Sequence, residues 1–255
     1  MMPPFFVGTE VPQVTNRLAD AVKISGIISI CYGVFCFSLP HTPPKKDAVD
    51  QLAFKKAFGL FQYSSFFVLV LASLAISIIH QIYFLQTGPF LSSIGILDSQ
   101  IGPAMTIGQF AEILTMAYLG YFLKNIGFKK VITMGIAAYC LRYAIFGAES
   151  LPVWIIVLSQ AFHGFCYAFF FAAAYIYVDK IADEDVRHSA QTVFGIIILG
   201  GGPVIGGWLS GFLQSANTVN NVFNFSTFWY TLSLIGFITT VLFFMFFKEK
   251  LADRE

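Results

Sequence analysis

The chain has 255 residues, of which 15 are Lys or Arg and 14 are Asp or Glu; at 11% its charged fraction is under half the roughly 25% of an ordinary soluble domain. Apolar residues make up 57% of it, aromatics number 30 Phe, 11 Tyr and 3 Trp, and the mean hydropathy is +0.74. These figures exclude a soluble enzyme, a disordered chain and a disulfide scaffold, and a net charge of +1 leaves no electrostatic footprint for nucleic acid.

The apolar residues fall in stretches of about 20, the length that spans a bilayer as a helix. Seven spans are predicted, near Ala19 to Leu39, Tyr63 to Gln86, Ile101 to Leu123, Phe128 to Gly147, Pro152 to Val178, Ser189 to Leu213 and Phe225 to Phe247. A β-barrel is excluded, because its strands would alternate in polarity over about 10 residues. The fold class is therefore all-α, a polytopic membrane helix bundle. Three parts are expected: 1–39, a first transmembrane helix with an external N-terminal segment; 40–62, a cytoplasmic linker; and 63–255, a six-helix bundle. A lone helix before a group of six suggests a chain lacking the first half of a larger transporter, since three-plus-three helices form the half-unit of one large class of secondary transporters.

Basic residues set the expected orientation. Lys45, Lys46, Lys55, Lys56, Lys124, Lys129, Lys130, Lys180, Arg187, Lys248, Lys250 and Arg254 fall in one set of loops, whereas only Arg17 and Lys23 fall in the other. The richer set belongs in the cytoplasm, which places the N-terminus outside and the C-terminus inside a plasma membrane. The linker opens on the turn signal His41-Thr42-Pro43-Pro44. From Asp47 to Gln62 it reads as an amphipathic surface helix, with Val49, Leu52, Ala53, Lys56 and Leu60 on a mixed face.

Ionisable groups deep in a span are costly and mark function by default. Glu112 and Arg142 are the two clear cases, and each lies 12 residues from a cytoplasmic lysine (Lys124 and Lys130), which puts them at matching depth. Two readings stand: a structural ion pair between them, or Glu112 as a carboxylate that takes up and releases a proton. Gln109 shares a helix face with Glu112 at i,i+3 spacing. A second stripe runs Gln160, His163, Gly164, Tyr167 and Phe171, and a third Ser77, Gln81 and Phe84. Amides, an imidazole and a carboxylate interleaved with rings suit a cavity for a flat polar solute, although such groups also serve as interhelical packing contacts.

His80 points about 100° from Gln81 on an ideal helix and is expected to pack or to reach the outer interface. Cys31, Cys36, Cys140 and Cys166 all fall in apolar segments and read as small buried residues. No metal site and no cofactor is expected. No Lys occurs in the last span, so no retinal Schiff base is expected, and no Gly-x-Ser-x-Gly or paired-Asp pattern suggests an intramembrane enzyme. The sixth span carries Gly202 to Gly206 and Gly207 to Gly211, both at the four-residue spacing of close helix approach, with Pro203 inside as a point of bending.

Gly120-Tyr121-Phe122-Leu123-Lys124-Asn125-Ile126-Gly127-Phe128-Lys129-Lys130 resembles the second copy of the loop motif of the major facilitator superfamily. Gly108-Gln109-Phe110-Ala111-Glu112, Leu141-Arg142-Tyr143-Ala144, Ser189-Ala190-Gln191 with the glycines after it, and Leu39-Pro40-His41-Thr42-Pro43-Pro44 are similar to the nucleoside:proton symporter family of that superfamily. The resemblance covers nearly the whole chain, as the sixth through twelfth helices of a twelve-helix transporter. It implies proton-driven nucleoside uptake, with nucleoside-like solute and protons as partners and Gln81, Gln109, Glu112 and Tyr167 at the substrate. Phe84 stands where better-known members have Asn, His163 where they have Tyr, and Ala168 where they have an acid. A transporter of another small polar or amphiphilic solute, and a membrane interaction protein that transports nothing, are the alternatives.

Overall fold

The computed structural model describes residues 12–41, 57–184 and 186–249. The chain divides into two units, Met1–Val49 and Asp50–Glu255. The first contains α1, Pro12–Cys36, whose shorter apolar stretch is Val22–Cys36. Side chains 22–41 are all exposed, Cys31 and Cys36 among them, so burial of a cysteine holds fully only for Cys166. The amphipathic helix expected from Asp47, with Val49, Leu52, Ala53 and Lys56, lies outside the described residues. Ala57 and Leu60 are buried, Gly59–Gln62 forms a 3-10 turn, and Phe61 sets its ring edge-on to Phe66 at 5.0 Å.

Among the described residues the second unit is helical apart from turns and one hairpin of two-residue strands. Its helices are α2 (Ser64–Ser93), α3 (Asp98–Gly147), α4 (Val153–Ile181), α5 (Arg187–Ala216) and α6 (Phe225–Phe246). Strands β1 (Thr218–Val219) and β2 (Val222–Phe223) pair antiparallel between α5 and α6. Their turn carries Asn220 and Asn221 at positive φ, the conformation such a two-residue hairpin requires. All five helices are long and apolar enough to cross a membrane.

α3 is 50 residues long, ~75 Å if continuous and more than twice a hydrocarbon core. It is interrupted at Gly127, where φ is 78° and ψ is 167°, a region essentially closed to residues with a Cβ. The arms on either side, 98–126 and 128–147, correspond to two of the expected spans. α6 packs along the second arm of α3, α2 along the C-terminal part of α5, and α4 against both arms of α3.

Water does not drive helices together inside a bilayer, so close backbone packing must do so. The glycines show where. A Cβ on Gly164 of α4 would stand 2.5 Å from the Ala111 carbonyl carbon of α3, and one on Gly135 would stand 2.6 Å from the Phe170 nitrogen. In α5, Gly202 and Gly206 abut Ser77, Ile78 and Gln81 of α2, whereas Gly207 and Gly211 meet nothing within 4 Å; only the first of the two glycine pairs is a packing seam. Trp229 anchors the core of the second arm, 5.0 Å from Phe146 and 5.5 Å from both Phe90 and Tyr143.

Both α4 and α5 contain a π-helical segment, Cys166–Ala172 and Ile196–Gly201. Such segments widen the turn and free a carbonyl. In α5 the Ile198 carbonyl accepts from the Ser77 hydroxyl of α2.

The basic loops of the second unit converge at one end. Lys129 sits over the Phe244 ring and Lys180 over the Phe128 ring, at 4.8 and 4.9 Å, and the Lys129 amide donates to Glu249. At the other end Ser226 donates to the Gly147 carbonyl. There a cavity of about 570 Å³ is lined by Phe90, Phe146, Glu149 and Phe225.

Candidate functional site

Arg142 sits in the second arm of α3 and is completely buried. A cation removed from water must recover hydrogen bonds and countercharge from the protein. Here Nη2 donates to the Gln160 Oε1 atom, Nη1 lies 3.1 Å from His163 Nδ1, and the guanidinium carbon rests 3.7 Å above the Tyr83 ring, within the range of a cation–π contact. Gln160 Oε1 is shared, because the Tyr83 hydroxyl donates to it at 3.0 Å.

A direct ion pair between Glu112 and Arg142, one of the two readings of the sequence, is not formed. His163 stands between them: its Nδ1 faces Arg142 and its Nε2 lies 3.8 Å from Glu112 Oε2. The tight crossing of the helices explains this. Gly164, next to His163, abuts the Ala111 backbone, and a Cβ on Gly108 would stand 2.9 Å from the His163 Cβ. The imidazole is thereby inserted between the arms of α3.

His80 joins the group: of its two expected placements, packing or reaching the outer interface, it takes the first. Its ring stacks on His163 with centroids 5.6 Å apart and planes 9° from parallel, and its Nδ1 is 2.8 Å from the Tyr139 hydroxyl. Phe84 and Phe171 stand edge-on to it at 5.0 and 5.1 Å, and Tyr167 is tilted at 6.4 Å. The sequence signal was available: His80 and Phe84 are spaced i, i+4, neighbours on one helix face. Tyr83 and Gln160 complete the cluster around the cation.

Exposure grades across the site. His163 is 3% exposed, the Glu112 side chain 23%, Tyr167 37% and Phe84 47%, so the two aromatic rings and the carboxylate are open where the imidazole is closed off. Gln109 is exposed on the Glu112 face of α3. Gln81 is half-buried and turns toward α5, where its Cβ lies against Gly206. The stripe Ser77–Gln81–Phe84 is therefore split, with Phe84 on the rim and Ser77 and Gln81 along the α2–α5 seam. Farther along that seam, Gln86 donates to Ser210 and Gln214 at 3.0 and 3.2 Å.

The arrangement is a polar cluster within helices of membrane-spanning length, flanked by aromatic faces and open on one side. The class this fold defines is a polytopic membrane helix bundle. Residues 10–252 match the model of the Nucleoside H+ symporter family, and the chain belongs to that family. Among relatives, YegT of Escherichia coli (strain K12) is 32% identical over 240 residues, which is 89% of this chain and 56% of YegT. The nucleoside permease NupG of the same organism is 26% identical over 242 residues, 89% of this chain and 58% of NupG. The xanthosine permease of that strain is 28% identical over 246 residues, 89% of this chain and 59% of the permease.

Crystal structures of the nucleoside transporter NupG superpose with TM-scores of 0.77 for a mutant and 0.73 for a second structure, at 26% identity, covering 88% and 89% of this chain and 60% of NupG. The chain thus spans a little under three-fifths of the length of these curated relatives. By family and by its apolar helices it is an integral membrane protein.

Proposed function

We propose that the chain forms the second part of a proton-coupled nucleoside transporter with the major facilitator fold, and that it works together with the portion of the transporter it does not span. In this reading seven helices cross the plasma membrane, with α1 and the two arms of α3 each crossing separately. The N-terminus is outside and the C-terminus cytoplasmic, as the gathering of Lys124, Lys129, Lys130 and Lys180 toward one end supports. Residues 40–62 link the first helix to a six-helix bundle over 63–255.

Gln109, Phe84, His163 and Tyr167 contact the solute, with Gln81 at the edge of the site, and Glu112 carries the proton. The observation that carries this reading is the position of Glu112: a part-open carboxylate within a membrane helix, 3.8 Å from His163, in a chain of the Nucleoside H+ symporter family. Rings at the rim suit the face of a nucleobase, and amide and imidazole groups suit its edge.

A second reading, transport of another flat polar solute, is favoured by one feature: Phe84 places an apolar ring at the rim where the family resemblance implies an amide. Calorimetric titration of the purified chain in lipid nanodiscs separates the two. Uridine binding that weakens in Gln109→Ala supports a nucleoside site; no heat with any nucleoside, together with binding of a non-nucleoside polar solute, overturns it.

A further inference from the structure

Arginine has only donors and no acceptor. The 3.1 Å contact between Arg142 Nη1 and His163 Nδ1 is a hydrogen bond only when Nδ1 offers a lone pair, which puts the ring proton on Nε2. Nε2 is the nitrogen that faces Glu112, 3.8 Å away. We infer that Arg142 is a positioning residue that locks His163 as the neutral Nε2–H tautomer, with its N–H on the Glu112 side, so that Glu112 alone takes up the exchangeable proton of this site. The proton-coupling half of the inference rests on the proposed transport; the tautomer does not.

The lock holds because neither partner can turn away. Arg142 is fully buried, bonded to Gln160, and pressed on Tyr83. His163 stacks with His80, at 5.6 Å and 9°, and with Tyr83, at 5.6 Å and 29°, and the helix that carries it is seated on Ala111 through Gly164. A second proton on the imidazole would go to Nδ1, where it would meet an N–H of the guanidinium: donor against donor and cation against cation.

The other titratable groups around the ring supply no route for relief. His80 and Tyr83 approach from α2, Glu112 and Tyr139 from α3, and Cys166 and Tyr167 follow on α4. His80 already has its Nδ1 at the Tyr139 hydroxyl, and a charge on it would stack on His163.

The consequence for Glu112 follows from the same geometry. A cationic His163 would hold the carboxylate as an ion pair and oppose its protonation. A neutral N–H at 3.8 Å, beyond hydrogen-bonding distance, leaves the carboxylate free to gain and lose a proton as its surroundings change. Removing Arg142 would let His163 titrate, and proton uptake would be shared between two groups.

The test uses the purified chain in lipid nanodiscs with ¹⁵N-labelled histidine and no substrate. Its resonances are followed from about pH 8 to about pH 5, the interval in which histidine commonly changes charge, and the His163 signals are assigned by their loss in His163→Gln. The expected spectrum shows one protonated and one bare ring nitrogen for His163 throughout, the proton on Nε2. Arg142→Lys, which keeps donors and lacks acceptors, should preserve it, and Arg142→Gln should let the ring become doubly protonated.

A wild-type His163 that is doubly protonated within this range, or that carries its single proton on Nδ1, overturns the inference even if Arg142→Gln does not fold. So does a spectrum that titrates identically in wild type and Arg142→Gln. Uridine is then added: an unchanged His163 signal counts against the nucleoside reading while leaving the tautomer result standing.

Discussion

Gly164 lies so close to Ala111 that a Cβ on it would stand 2.5 Å from the Ala111 carbonyl carbon and 2.7 Å from the Glu112 amide nitrogen. Backbone cannot yield as a flexible side chain can, so this contact fixes the height of His163 relative to Glu112. Gly164→Ala is expected to push α4 from α3 and cost about 1–3 kcal/mol, as overpacking does. A lowered unfolding temperature of the purified protein, together with a changed ¹⁵N signal from His163, would show it. Unchanged stability would mean that the helices are less tightly seated than the backbone indicates.

Gly127 is expected to be equally intolerant for a different reason. Its φ of 78° with ψ of 167° breaks α3, and the Glu249 carboxylate lies 3.1 Å from where a Cβ would be. Gly127→Ala should destabilise by about 1–3 kcal/mol through backbone strain, whereas Gly120→Ala, where nothing lies within 4 Å of the new atom, should be close to neutral. Thermal unfolding of the two variants side by side makes the comparison.

The orientation of the bundle is open to a labelling experiment. In a background free of native cysteines, the single substitutions Ser92→Cys, near the end of α2, and Lys129→Cys, just after the break in α3, should react with a membrane-impermeant thiol reagent from opposite sides. The Ser92→Cys variant is expected to label in intact cells and the Lys129→Cys variant only after permeabilisation. Labelling of the Lys129→Cys variant from outside would invert the topology.

Much of this architecture was legible in the sequence because bilayer length is a strong constraint: α2, α4, α5 and α6 fall on predicted spans, with ends displaced by a few residues. The kink of α3 at Gly127 falls in the gap between the third and fourth expected spans, among Lys124, Lys129 and Lys130. Side-chain pairing was not legible. Matching depth put Glu112 beside Arg142, but depth says nothing of what stands between, and the insertion of His163 depends on the close crossing at Gly108 and Gly164. The partners of the packed His80 were not legible either, because an angle measured from Gln81 assumed that Gln81 faced the cavity, whereas Gly206 of α5 lies against Gln81.

Gln109 and Phe84 test the rim. Gln109 is exposed, so Gln109→Ala should leave the protein folded while weakening nucleoside binding roughly tenfold, about 1.4 kcal/mol. Phe84→Asn should strengthen uridine binding by replacing a ring with an edge hydrogen-bonding group. Calorimetry on both variants reads these effects; no change in either would remove this face of the bundle from the site.

The proton role of Glu112 is the centre of the account, and one measurement reaches it most directly: uptake of labelled uridine into proteoliposomes that contain the chain together with the remainder of the transporter, wild type against Glu112→Gln. With an inward proton gradient the wild type should accumulate uridine above its outside concentration. Glu112→Gln should lose that accumulation while still exchanging uridine across the membrane without a gradient. Gradient-driven accumulation by Glu112→Gln equal to that of wild type would contradict the account and assign the coupling proton to another group.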